Sequence, residues 1–223
     1  TVVISTFNPN ETDNGDVSQE ASIDVMFNTP GGSATFIISA ANDILINAGT
    51  GIRDLNQSGS LNVVLEANSS DDASDPALGN VNINANINTN GGSFISTGVN
   101  FVSTTATITA TGGVSITHDG TVDVGAINTG AGFGGTAFIS GANINGAVTI
   151  GEGNVSIDGD NLDLVVRANI TATDTVFLLA DQDVIVHATV VVGSSNPTAD
   201  LFITADADSS GVGGFKLDEA DIA

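Results

Sequence analysis

Three aspartates have a spacing that could hold a cation. Asp158, Asp160 and Asp163 lie in the run Asp158-Gly159-Asp160-Asn161-Leu162-Asp163, which puts three carboxylates within six residues. Hard oxygen donors at this density suit calcium. The run departs from an EF-hand loop, because Leu162 stands where an oxygen ligand is wanted and no downstream glutamate closes the site. The chain also lacks the tandem glycine-rich nonapeptides of calcium-binding β-rolls. Shorter acidic groups recur at Asp71-Asp72-Asp75, Asp206-Asp208 and Asp218-Glu219-Asp221. A solvated acidic loop is the ordinary reading of each, so calcium is the one cofactor these residues suggest and none is required. The two histidines, His118 and His187, close the runs Ile116-Thr117-His118 and Val186-His187-Ala188. They read as equivalent strand-end residues, since no His/Cys/Asp cluster has zinc spacing.

Catalysis finds little to work with. Eliminative cleavage of an acidic polysaccharide wants a basic residue at the carboxylate, commonly beside calcium. The chain has three strong bases, Arg53, Arg167 and Lys216, with no two adjacent. A glycosidase needs two opposed carboxylates, which abundant aspartate could supply. Sugar clefts also lean on aromatic platforms, and Trp and Tyr are absent. No catalytic residue is assigned, and the chain reads as a non-enzyme. The run Thr105-Ala106-Thr107-Ile108-Thr109-Ala110-Thr111 invites an ice-binding reading, which requires matching threonine ranks on neighbouring strands. About 20 residues to either side, the interval of one repeat, stand Thr89 and Thr129 but no second Thr-x-Thr run. A carbohydrate-active or ice-binding protein is therefore the alternative and not the leading reading.

Any such residues would have to be carried by strands. Hydrophobic content is 41% across 223 residues, enough for a core, and it is mainly Val, Ile, Leu and Ala. Gly numbers 27 and Pro 4, a strand-and-turn composition. Alternation recurs in Val81-Asn82-Ile83-Asn84-Ala85-Asn86-Ile87, Ala106-Thr107-Ile108-Thr109-Ala110, Val114-Ser115-Ile116 and Val155-Ser156-Ile157. Such alternation turns aliphatic residues one way and Asn, Thr or Ser the other. No helical period is sustained. The net charge of −23 repels nucleic acid and anionic lipid, so both are poor partners and no nucleic acid is expected. No run of 18 or more apolar residues is present, so no membrane insertion is expected. Zero Cys shows only that no disulfide is used.

The chain also restates itself. Residues 35–48 (TFIISAANDILINA) and 175–188 (TVFLLADQDVIVHA) share Thr35/Thr175, Ala40/Ala180, Asp43/Asp183 and Ala48/Ala188. A shared frame of Gly, Asn or Asp followed by aliphatic-x-aliphatic recurs at Asp43, Asn80, Gly113, Asn154 and Asp183. Those residue types tolerate the backbone of a corner. Repetition of this kind marks stacked similar units. The expected fold is all-β, a right-handed parallel β-helix (β-solenoid) with about 20 residues per coil and roughly ten rungs. Asn and Thr should form ladders at its corners. Residues 1–223 read as one domain, a full subunit or a segment of a longer chain. Polar loops are expected near 8–19, 69–78, 194–198 and 206–214.

The stretches GNVNINANINTNGGSF (79–94), GGVSITHDGTVDVGAINTGAG (112–132) and GNVSIDGDNLDLVVRANI (153–170) resemble the repeats of filamentous-haemagglutinin-like exoproteins. The likeness extends over about residues 30–205 and is one of pattern. It implies a large bacterial surface protein, extracellular or at the cell surface, and transfers no catalytic residue. It further implies a structural role, as an adhesin segment or a fibre-forming subunit. Partners would be further repeats or like copies head to tail, and a receptor on a host or neighbouring cell. The family's secretion signature and end caps are not found in these residues.

Overall fold

The structure, a computed structural model, describes residues 1–6, 15–67, 79–129, 137–144, 148–149, 155–159, 163–187, 189–194, 196, 199–207 and 211–218. All regular structure in them is β, in 24 strands. In chain order these are β1 (Val2–Ser5), β2 (Val17–Gln19), β3 (Ile23–Val25), β4 (Ser33–Ser39), β5 (Ile44–Ile46), β6 (Ile52–Asp54), β7 (Ser60–Glu66) and β8 (Asn80–Ile83). There follow β9 (Ile87–Asn88), β10 (Phe94–Gly98), β11 (Asn100–Val102), β12 (Thr107–Thr109), β13 (Val114–Val124), β14 (Ala126–Asn128), β15 (Ala137–Ile144) and β16 (Val148–Thr149). The last are β17 (Val155–Asp158), β18 (Leu164–Val166), β19 (Ile170–Ala172), β20 (Val176–Leu179), β21 (Val184–His187), β22 (Val192–Ser194), β23 (Leu201–Thr204) and β24 (Phe215–Asp218).

The all-β expectation holds, and the pairings between these strands are parallel. The right-handed parallel β-helix of about 20 residues per coil and roughly ten rungs is corrected. The strands do not divide into one stacked sheet per face. Sixteen of them join in one sheet, whose path β1-β4-β7-β10-β13-β11-β8-β5-β2 turns back at β13 into a nearly closed, barrel-like surface. The other eight form a separate sheet, β22-β19-β16-β14-β12-β9-β6-β3. The cause lies in β13. It is continuous through Asp119-Gly120, with a register irregularity against β15 between Thr117 and Val122, so one strand pairs with both β10 and β11. The spacing is uneven as well. Linked positions on adjoining strands are 20 residues apart at Asn80 and Asn100 but 37 apart at Asp43 and Asn80.

Two expected loops differ in part from expectation. Within 8–19, Val17–Gln19 is β2, and Ser194 of 194–198 ends β22. Residues 69–78 lie outside the described residues.

Side-chain columns build the core. Val2, Phe36, Val63, Phe94, Val114, Ala137, Val155, Val176 and Leu201 follow one another in register. In the eight-stranded sheet the column is Ile23, Ile52, Ile87, Ile108, Ile127, Val148, Ile170 and Val192. The members between the column ends whose side chains are described are buried. Burying each aliphatic side chain contributes about 1.5–3 kcal/mol, so columns of Ile, Val and Phe are the main stabilising element. The two echoed segments occupy matching places. Residues 35–48 supply β4 and β5, and 175–188 supply β20 and β21, with Phe36 and Val176 in one column.

Candidate functional site

Polar side chains inside the sheets are engaged in holding backbone. Asp43 is the model case. Its Oδ1 accepts the Gly79 amide at 3.0 Å, the Asn80 amide at 2.7 Å and Asn80 Nδ2 at 3.0 Å. Asp16 Oδ1 in turn accepts the Asp43 amide at 3.2 Å. Asn80 Oδ1 accepts from Asn100 Nδ2 at 2.8 Å, and Asn100 Oδ1 accepts the Thr121 amide at 2.9 Å. The motif returns where Asp163 Oδ1 accepts the Asp183 amide at 3.0 Å and Asp183 Oδ1 accepts the Gly214 amide at 2.8 Å. Each carboxylate or amide satisfies an N–H that a corner would leave without a sheet partner. Asp43, Asn80 and Asp183 are the frame residues legible in the sequence. Other corners use the same device: Asn86 Oδ1 accepts the Thr107 amide and Asn169 Oδ1 the Val191 amide.

The expected cation site is not assembled among the described residues. Asp163 is committed to the Asp183 amide. Asp158 ends β17 with its side chain outside the described residues, as is all of Asp160. Asp71, Asp72, Asp75, Asp208, Glu219 and Asp221 also lie outside them, as does the Asp218 side chain. Asp206 accepts the Gly211 amide at 2.9 Å. Among the described residues no group of three or more His, Cys, Asp or Glu could hold a metal ion.

The strong bases stand apart in the topology. Arg53, on β6 of the smaller sheet, meets Asp24 with Nε 2.6 Å from Oδ1, and that hydrogen bond raises the guanidinium pKa. Lys216, on β24 of the larger sheet, pairs with Asp183; the contact lowers the carboxylate pKa and raises that of the amine. Arg167 follows β18, exposed. No two of them converge on a shared carboxylate in these contacts. The threonine run splits between two ranks. Thr109 lies between Asn88 and Asn128, and the rank continues through Thr149 and Thr171, but Thr107 is beside Ala126. Among the described residues Thr107 and Thr109 are thus not matched by a second Thr-x-Thr pair on either adjoining strand.

The histidines are not equivalent. His187 is half-buried at the end of β21, opposite Asp218. His118 is inside β13, opposite Gly98, and 1% exposed. Its Nε2 is 3.0 Å from Ser96 Oγ, and its ring is 5.3 Å from Phe101, which in turn packs edge-on against Phe94. Ser96 interrupts an aliphatic column between Leu65 and Ile116 and gives the ring a hydrogen-bonding neighbour. Gly98 makes the room: a Cβ there would be 3.1 Å from His118 Cε1 and 2.6 Å from the Gly79 carbonyl oxygen. Burial lowers the His118 pKa from 6.5 to about 4, so the ring is neutral at physiological pH.

A serine hydrogen-bonded to a histidine is the start of a nucleophilic site. This pair lacks the rest. Ser96 is 0% exposed, and His118 Nδ1 has no partner among the described residues to orient the ring. No local pattern signals the pair, because Ser96 and His118 are 22 residues apart and on different strands.

Among the described residues β1 pairs only with β4, β2 with β5 and β3 with β6. At the other extremity β22 pairs only with β19, β23 with β20 and β24 with β21. Apolar side chains stand open there, with Val2 60%, Leu201 44%, Phe215 49% and Leu217 65% exposed. Open strand edges carrying apolar residues are templates for further pairing. Comparison of the chain with family models, curated proteins and solved structures finds no match to any of them.

Proposed function

We propose that the protein is a non-catalytic structural element of an extracellular or bacterial cell-surface fibre or adhesin, extended end to end by like units. The observation that carries this reading is the set of six outer strands, three at each extremity, each paired on one side only among the described residues, several of them with exposed apolar side chains. Parallel pairing supports it, because a parallel sheet can be extended without reversing its direction. The use of the polar residues supports it too. Asp43, Asp163, Asp183, Ser96 and His118 are engaged in holding the structure and present no converging reactive groups. The extracellular placement rests on the likeness of 79–94, 112–132 and 153–170 to exoprotein repeats.

The mechanism is mechanical. Continuous parallel ladders resist extension along the line of strands, and side-chain amides and carboxylates tie successive corners together. Sedimentation velocity across a concentration series, with calcium and with a chelator, tests the reading. Growth from single chains to long rods as concentration rises is the expected result. A monodisperse monomer at every concentration, under both conditions, removes it.

A further inference from the structure

We propose that Asn90 is a self-modification site. In the folded chain its side-chain amide closes on the Gly91 nitrogen, ammonia leaves, and the resulting aspartate or isoaspartate loosens the corners where the two sheets meet.

The backbone is set for ring closure. Asn90 stands at the corner between β9 of the eight-stranded sheet and β10 of the sixteen-stranded one. The Thr89 carbonyl accepts the Gly92 amide at 3.1 Å, Asn90 has φ 52° and Gly91 has a negative φ. A turn with positive φ at its first central residue alone is type II′, and ψ of that residue is about −120°. On an L-residue this ψ eclipses Cβ with the following nitrogen. Asn90 Cγ therefore needs only a rotation about the Cα–Cβ bond to meet the Gly91 nitrogen and form a succinimide. Holding reacting atoms close to attack geometry removes much of the entropy from the barrier.

The nucleophile is available and activated. The Gly91 amide donates to no acceptor among the described residues. The Asn90 carbonyl accepts both the Thr111 amide, at 3.1 Å, and the Thr111 hydroxyl. Those two donors fix the plane of the Asn90–Gly91 peptide and draw electron density from it, which acidifies the Gly91 N–H. The Gly91 nitrogen bonds to Asn90 Cγ, the Cγ–Nδ2 bond breaks, and Nδ2 leaves as ammonia with the proton that Gly91 gives up. Water then opens the ring, at Cγ to give aspartate or at the main-chain carbonyl carbon to give isoaspartate. The second carbon is the one that Thr111 polarises, so isoaspartate is the favoured product.

The surroundings make the change consequential. Asn90 Nδ2 donates to the Gly59 carbonyl at 2.9 Å and is 3.4 Å from Asp54 Oδ2. Asp54 is 2% exposed, and it accepts the Gln57 amide at 3.0 Å and the Gly59 amide at 3.1 Å. Asn90 thus ties the corner after β6 to the corner after β12, and both corners join the same two sheets. A carboxylate at this position has no N–H for Gly59 and stands against a buried carboxylate of like charge. Isoaspartate also adds a methylene to the main chain, which the turn cannot absorb while keeping its bonds to Thr111.

The full-length protein, incubated at mildly alkaline pH both folded and in urea, tests the site. Asn14-Gly15 and Asn145-Gly146 can react by the same chemistry, so conversion is read peptide by peptide, with electron-transfer fragmentation to separate aspartate from isoaspartate. Asn90 should convert in the folded chain at least as fast as in urea, mainly to isoaspartate. A folded chain that keeps Asn90 under conditions that convert it in urea would overturn the proposal and show that the bonds to Nδ2 protect the amide. Asn90→Asp, which supplies the carboxylate directly, should lower the urea midpoint at neutral pH, and should lower it less in an Asp54→Asn background. Equal midpoints for the wild type and Asn90→Asp would overturn the loosening of the corners.

Discussion

Lowering the pH from 7 to 4 should cost the fold about 3 kcal/mol through His118 alone. The ring titrates near 4 in the folded chain, against an ordinary value of 6.5, and burial is the cause. Each pKa unit is worth about 1.4 kcal/mol, and the gap of about two and a half units sets the magnitude. In the unfolded chain the ring takes up a proton as pH falls through 6.5, while the folded ring resists until about 4. The stabilisation is therefore complete above 6.5, shrinks between 6.5 and 4, and is gone below 4. Protonation of the 26 acidic residues changes stability over part of the same range, so the wild-type curve alone cannot isolate the ring. His118→Gln removes the titration and leaves those acids in place. Urea unfolding followed by circular dichroism at intervals from pH 7 to 4 measures both chains. The wild type should lose about 3 kcal/mol more than the variant over that interval. Parallel curves would refute the reasoning and show that the ring is hydrated or partnered in solution.

Further predictions test the corners, the core and the charge. Asp43→Ala strands the Gly79 and Asn80 amides and should cost about 1–3 kcal/mol in urea unfolding, while Asp43→Asn keeps an acceptor and should cost less. Ile38→Ala empties a fully buried position and should cost about 2–5 kcal/mol by the same assay. Gly98→Ala drives a methyl group into the Gly79 carbonyl and the His118 ring, so thermal unfolding should shift to lower temperature. Association should strengthen with salt. Going from 0.01 M to 0.15 M shortens the Debye length from about 30 Å to about 8 Å, which screens the net charge of −23 as sedimentation follows rod growth.

Much of the strand structure was legible in the sequence because its signals are local. Alternation in Ala106–Ala110 places Ile108 inward and the threonines outward, as the structure has them. The Asp43/Asp183 echo marks two corners where a carboxylate holds the next strand's amide. What failed depended on distant pairing. Asp119-Gly120 is a turn-type pair, yet the strand runs on through it with a register irregularity, its halves pairing with β10 and β11 on one side and β15 on the other. A uniform repeat was also inferred from one clean echo, while the links from Asp43 to Asn80 and from Asn62 to Ser93 span 37 and 31 residues. His118 was read as a strand-end polar residue because Ser96 and Gly98, which let the ring turn inward, are remote in sequence. The bond from the Asp183 amide to Asp163 was not legible for a similar reason, since the two residues are 20 apart in the chain.

The central claim, extension of parallel sheets end to end, is tested most directly by X-ray diffraction from aligned fibres of the purified protein. Strands stacked along the fibre must repeat at the inter-strand spacing, so the account predicts a strong meridional reflection near 4.8 Å. Fibres whose reflection at that spacing falls on the equator, or a protein that forms no fibres under conditions that screen its charge, would contradict it.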